Sequence, residues 1–163
     1  MKAYLDNNVV SAIARDDHAS ESAAIDRLIE AYEDGRIELV TSELALDEIN
    51  EYQGIQRPPV QWVFRLLRKV PIVRWEDLVA MTPPSSRRPL IISSIFRNDP
   101  MYDSLLTLGL QPVDARHLFV AARQSCSAFL TCDGGILDRG GKIHVLAGIR
   151  CQRPSEFVSA QAL

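Results

Sequence analysis

The chain is short of the residues that build metal-thiolate sites, disulfide scaffolds and membrane spans. It has 3 cysteines, Cys126, Cys132 and Cys151, an odd number with no CxxC pair. That excludes a zinc ribbon and a stapled secreted fold, and leaves reduced, partly buried thiols as the expectation. Its 3 histidines, His18, His117 and His144, are scattered. Apolar runs last only a few residues, so none can span a bilayer, and no membrane partner is expected. No internal repeat or low-complexity tract occurs. The start, Met1-Lys2-Ala3-Tyr4-Leu5-Asp6, has no secretory apolar region and enters structure at once, from which a cytoplasmic location is expected. What remains is 163 residues that are 47% apolar, enough for one core and one domain over 1–163.

The net charge of −3 is unevenly spread. Residues 1–56 carry 4 basic and 13 acidic side chains, and residues 57–98 carry 8 basic (Arg57, Arg65, Arg68, Lys69, Arg74, Arg87, Arg88, Arg97) and 2 acidic. The chain as a whole is no general polyanion binder. The basic stretch is either a local footprint for phosphate or a solvated helix face.

Short apolar strands are expected at 2–6, 36–40, 128–132 and 143–146, with 70–74 a strand or a connection. Helices are expected at 8–14, from Ser20 to Gly35, at 43–52 with Ser42 as N-cap, from Pro58, over 101–108, from Pro112 to about Gln124, near 134–138 and from Pro154. The proline-rich stretch 81–100 reads as a loop. Strands alternating with helices predict an α/β fold, a three-layer α/β/α sandwich on a mostly parallel sheet. Such sheets bind ligands outside the carboxyl ends of their strands.

Acids cluster at those ends. Asp6 ends the first expected strand and Asp133 another, while Asp114 opens the helix after Pro112 and Glu48 lies on the helix after the second strand. Each has an ordinary explanation: helix cap, first-turn acid or turn former for the three aspartates, and a solvated position for Glu48. Together they would repel one another and resist ionisation unless a cation were present. Oxygen ligands without His or Cys select Mg²⁺ or Mn²⁺. An aspartyl-nucleophile phosphatase would want a second Asp two residues after the first, where Asn8 stands.

Four blocks in order carry a family resemblance: Tyr4-Leu5-Asp6-Asn7-Asn8-Val9-Val10, Thr41-Ser42-Glu43-Leu44-Ala45-Leu46-Asp47-Glu48-Ile49, Asp114-Ala115-Arg116-His117-Leu118, and Phe129-Leu130-Thr131-Cys132-Asp133 with Ile136. The sequence resembles the PIN-domain ribonucleases, close to their VapC-type toxin branch. The resemblance implies a PIN-like fold and a metal-dependent endoribonuclease. Asp6, Glu48, Asp114 and Asp133 become its catalytic, metal-binding acids, with Mg²⁺ or Mn²⁺ as cofactor. Asn8 and Thr131 become supporting groups that orient Asp6 and Asp133. Glu43 and Asp47 compete with Glu48, which the family spacing selects. Asn7 stands where the family has a small hydroxyl residue, so tuning of the site is expected. His117 is read as a packed core residue with a satisfied ring. The partners implied are RNA, an antitoxin protein if the chain is a toxin, and a second copy in a homodimer. The alternative is a catalytically silent PIN-like module acting through a protein partner. The 66 residues from Glu48 to Asp114 hold the basic stretch, and substrate choice is expected there.

Overall fold

The computed structural model describes residues 1–9, 19–45, 48, 70–74, 77, 96 and 99–163. The expected features at 10–14, at Asp47, at 49–69 and at 81–95, with most of the basic stretch, lie outside the described residues. Five parallel strands form one sheet: β1 (Lys2–Leu5), β2 (Glu38–Ser42), β3 (Ile72–Val73), β4 (Ala128–Leu130) and β5 (Arg150–Gln152), in the order β3-β2-β1-β4-β5. The described helices are α1 (Ala19–Glu33), α2 (Pro100–Thr107), α3 (Pro112–Arg123), α4 (Gly134–Leu137), α5 (Gly140–Ala147) and α6 (Pro154–Gln161).

Strand alternation sorts the core into two layers. Tyr4, Val40 and Phe129 face one side, where they meet Tyr102 and Leu105 of α2, Leu118 and Phe119 of α3 and Ile143 of α5. Ala3, Leu5, Leu39, Ala128 and Leu130 face the other, against Ile25 and Leu28 of α1 and Phe157 and Val158 of α6. The result is the three-layer α/β/α sandwich, and its sheet is buried on both faces, as parallel sheets are. Each fully buried Leu or Phe contributes about 2 kcal/mol of apolar burial.

Local chemistry sets the boundaries. Gly35, at φ +70°, ends α1: its N–H donates to the Tyr32 carbonyl and the Arg36 N–H to that of Ala31 (2.8 Å). Pro100 and Pro112 open α2 and α3, and the Asp99 carboxylate accepts from the Met101 N–H (2.9 Å). The buried carboxylate of Glu21 ties α1 to α6, accepting from the Ser155 N–H (2.9 Å) and hydroxyl (2.6 Å). Glu21→Ala leaves both donors unmet and is expected to lower the unfolding free energy by about 2 kcal/mol, read by thermal denaturation against Glu21→Gln, which keeps an acceptor.

Several expectations shift, and the strand expected at 128–132 ends at Leu130. The strand expected at 36–40 runs two residues later, through Ser42. The helix expected to start with Ser20 as its cap already includes Ala19. The strand expected at 143–146 is helical: Ile143 points into the core, Val145 is 87% exposed, and Gly148 at φ +72° caps α5. The fifth strand follows at Arg150–Gln152, an edge strand too polar to register as a buried run.

Candidate functional site

The chain steps outward from β1 to β2 and β3, then returns to place β4 and β5 on the other side of β1. The crevice of this sheet therefore opens at the carboxyl ends of β1 and β4, where the strand order reverses. Asp6 follows β1 directly, and its N–H donates to the Leu130 carbonyl at the end of β4 (3.1 Å). Asp133 stands three residues beyond β4.

One hydroxyl joins these two ends. Thr131 is fully buried, and its Oγ1 donates to Asp6 Oδ2 (2.8 Å). The same oxygen accepts from Asn8 Nδ2 (2.9 Å) and from the Asp133 N–H (3.1 Å). Asn8 Oδ1 in turn accepts from the Cys132 N–H (2.9 Å). A hydroxyl has one hydrogen and two lone pairs, so Thr131 is fully satisfied. Asn8 and Thr131 thus hold the loop after β4 against the loop after β1.

Asp133 is also the N-cap of α4: its Oδ1 accepts from the Ile136 N–H (3.0 Å). A Cβ at Gly135 would stand 3.0 Å from that oxygen, so glycine keeps the cap open. Asp114 sits in the first turn of α3, where the Gln111 N–H donates to its carboxylate.

Glu48 belongs to a second network. Its Oε2 accepts from Asn7 Nδ2 (2.7 Å), and its Oε1 faces His117 Nε2 (2.8 Å). Tyr4 Oη lies 2.7 Å from His117 Nδ1 and 2.5 Å from Ser42 Oγ. Both oxygens of Glu48 are therefore held in place by the protein, and each keeps a lone pair free. Neither Tyr4 nor Ser42 stood out as functional in the sequence. The one signal was a phenol in an otherwise aliphatic buried strand, which must find a polar partner. His117 is buried with a satisfied ring, as its helical position implied, but it links the core residue Tyr4 to the acid Glu48.

The electrostatics link the two networks. Burial foremost, with the charge of Glu48 adding, pushes the Asp6 carboxyl up to about 6, against the pull of His117 and Thr131. Burial and then the charge of Asp133 raise Asp114. Burial would lower His117, but its bond to Glu48 and the charges of Asp6, Glu48 and Asp114 outweigh it and raise the ring. Burial would raise Glu48, yet the hydrogen bond and charge of His117, helped by Asn7, hold it below the usual range. The thiols are free, and burial first of all pushes them up, to about 11 for Cys126 and Cys132 and about 12 for Cys151, so they are inert.

An oxygen-only donor set with two carboxyls resisting ionisation fits a hard divalent cation in type and charge. Its spacing is looser than a ready-made cage: among the described residues, no three His, Cys, Asp or Glu groups stand together as ligands for one ion. Among the same residues no helix is long and apolar enough to cross a membrane. No protein-family model matches the chain, and no curated protein does.

Proposed function

We propose that the protein is a PIN-like, metal-dependent endoribonuclease that hydrolyses phosphodiester bonds of RNA. The observation that carries this reading is the burial of Asp6 at the switch point of the sheet, with its carboxyl raised to about 6 by that burial and by the charge of Glu48. A buried carboxylate among like charges is costly without a cation, and such groups mark functional sites. Asp6, Asp114 and Asp133 would hold Mg²⁺ or Mn²⁺, with Glu48 completing the cluster directly or through water. A bound ion supplies Lewis-acid charge at a phosphate and a more acidic water.

The chain's own residues supply the framework. Thr131 and Asn8 fix Asp6 against the loop that carries Asp133. Asn7 and His117 fix Glu48. An open acidic rim suits a splayed single strand or loop better than a duplex, which favours RNA over double-stranded DNA. The basic residues between Glu48 and Asp114 are then the phosphate-holding side, and the compartment is the cytoplasm. In the toxin form of this reading, a small antitoxin protein covers the rim, and a second copy forms a homodimer.

The loose spacing of the acids favours a second reading, a catalytically silent module that works through a protein partner. Metal titration separates the two. Under the nuclease reading, Mn²⁺ at a hundredfold excess over its Kd stabilises the fold by about 2.7 kcal/mol. That raises the melting temperature by roughly 5–10 °C. Labelled single-stranded RNA is then cut with Mn²⁺ and spared with a chelator. A melting curve indifferent to Mn²⁺, with RNA left intact, would sink the nuclease reading and leave the silent module.

A further inference from the structure

We infer that the hydroxyl pair of Tyr4 and Ser42 anchors His117 so that its ring holds Glu48 in place, making Tyr4 a positioning residue of the acidic rim. The inference rests on the nuclease reading only where it concerns cleavage; the anchoring itself is a matter of hydrogen-bond direction.

The direction follows from donor bookkeeping. An ionised Glu48 only accepts, and its Oε2 is already met by Asn7 Nδ2 at 2.7 Å. His117 Nε2, 2.8 Å from Oε1, must therefore carry hydrogen. The neutral ring then offers Nδ1 as an acceptor, and Tyr4 Oη, 2.7 Å away, donates to it. The Tyr4 oxygen is left to accept, and Ser42 Oγ at 2.5 Å supplies the hydrogen. With the ring neutral, the chain runs one way, from Ser42 through Tyr4 and His117 to Glu48. A ring flipped about its axis would set carbon atoms against both Tyr4 and Glu48 and lose both bonds.

The phenol is a rigid post for this purpose. Tyr4 is fully buried in β1 and stacks on Phe129 of β4, with centroids 5.3 Å apart and planes 4° from parallel. It meets the His117 ring edge-on at 5.8 Å. Ser42 ends β2. Three neighbouring strands thus fix the position of one carboxylate on a helix. Core packing and helix capping account for a buried Tyr and a Ser at this turn, but neither requires the Tyr4 hydroxyl to meet both Ser42 and the ring that faces Glu48.

The test is a double-mutant cycle with a metal-free readout beside it. In the wild type at a pH where His117 is neutral, ¹⁵N spectra should show Nε2 protonated and Nδ1 as a hydrogen-bonded acceptor. Tyr4→Phe should move the Nδ1 signal toward that of a free acceptor. Tyr4→Phe should also lower kcat for RNA cleavage and the affinity for Mn²⁺ by about tenfold, with KM for RNA little changed. In a Glu48→Gln background the same substitution should have almost no effect, because its action passes through Glu48. Ser42→Ala, which leaves the phenol packed, should shift Nδ1 in the same direction by less. Equal losses in both backgrounds, or a wild-type ring protonated at Nδ1 alone, would overturn the inference. If the wild type neither binds Mn²⁺ nor cuts RNA, the nuclease reading fails, and the Nδ1 signature still decides the anchoring.

Discussion

Asp6→Asn is expected to abolish Mn²⁺-dependent RNA cleavage, by roughly 10³-fold, and at the same time to make the metal-free protein more stable at neutral pH. The first half follows from removing a ligand charge: several kcal/mol of metal-assisted stabilisation, at about 1.4 kcal/mol per tenfold, gives that order. The second half follows from linkage. Asp6 titrates near 6 in the fold, against the ordinary 3.8. Between those values the folded protein holds a proton that the unfolded chain has released. Stability therefore falls as pH rises from about 4 to 6, and the penalty is full at neutral pH. The displacement corresponds to about 3 kcal/mol as an upper figure. His117 acts in the same sense, since its folded value is raised: its stabilisation is present at low pH and lost as pH rises through that value. An asparagine in place of the acid removes the Asp6 part but loses one hydrogen bond, leaving a net gain of about 1–2 kcal/mol. Chemical denaturation of both proteins from pH 4 to 8, in chelator, measures it. A variant that is less stable than wild type at pH 7, or that still cleaves RNA at the wild-type rate, would show that Asp6 is an ordinary cap.

Thr131→Val should be a damaging change despite its conservative shape. Valine fills the same volume, so no cavity term enters. It strands three polar groups at once: Asp6 Oδ2, Asn8 Nδ2 and the Asp133 N–H. Each unmet buried group costs about 1–3 kcal/mol, and relief by water lowers the sum to roughly 3–4 kcal/mol. A single domain is stable by only about 5–15 kcal/mol, so this is a large fraction. Cleavage should fall about a hundredfold, because both acids lose the group that orients them. Thr131→Ser keeps the hydroxyl and should recover most of both losses. Urea unfolding and single-turnover cleavage report the two effects separately. A Thr131→Val protein as stable as the wild type would mean that this hydroxyl is not the tie between the two loops.

The parts of this molecule legible in the sequence are those governed by local chemistry. Pro112 and Pro154 open helices, and Gly35 closes one, because backbone restrictions act at the residue itself; Pro100, expected to end a loop, instead opens α2. The strands expected at 2–6 and 128–132 are present but end earlier, at Leu5 and Leu130, so Asp6 and Asp133 follow two strands that the structure shows to be adjacent. Residues 143–146 misled because a four-residue apolar run has no period of its own. Gly148, two residues later, was the better guide to a helix end. The resemblance implied Asn8 and Thr131 as supporting groups for the acids, but not the bond between them. The chain from Tyr4 through His117 to Glu48 was not legible, since it joins residues 113 and 69 positions apart and depends on ring orientation. No pattern along one strand or helix encodes such a meeting.

The pairing of β1 with β4 has a consequence for synthesis. Thr131 and Asp6 are separated by 125 residues of sequence, yet one hydrogen bond joins them. As the chain leaves the ribosome, Asp6 emerges early and remains without Thr131, Asp114 and Asp133 until most of the protein has been made. Closing a loop of that length is slow compared with forming a helix. A nascent or truncated chain that stops before β4 therefore has no assembled acidic rim. If the proposed cleavage of RNA is this protein's activity, the growing chain cannot carry it out before β4 has been made.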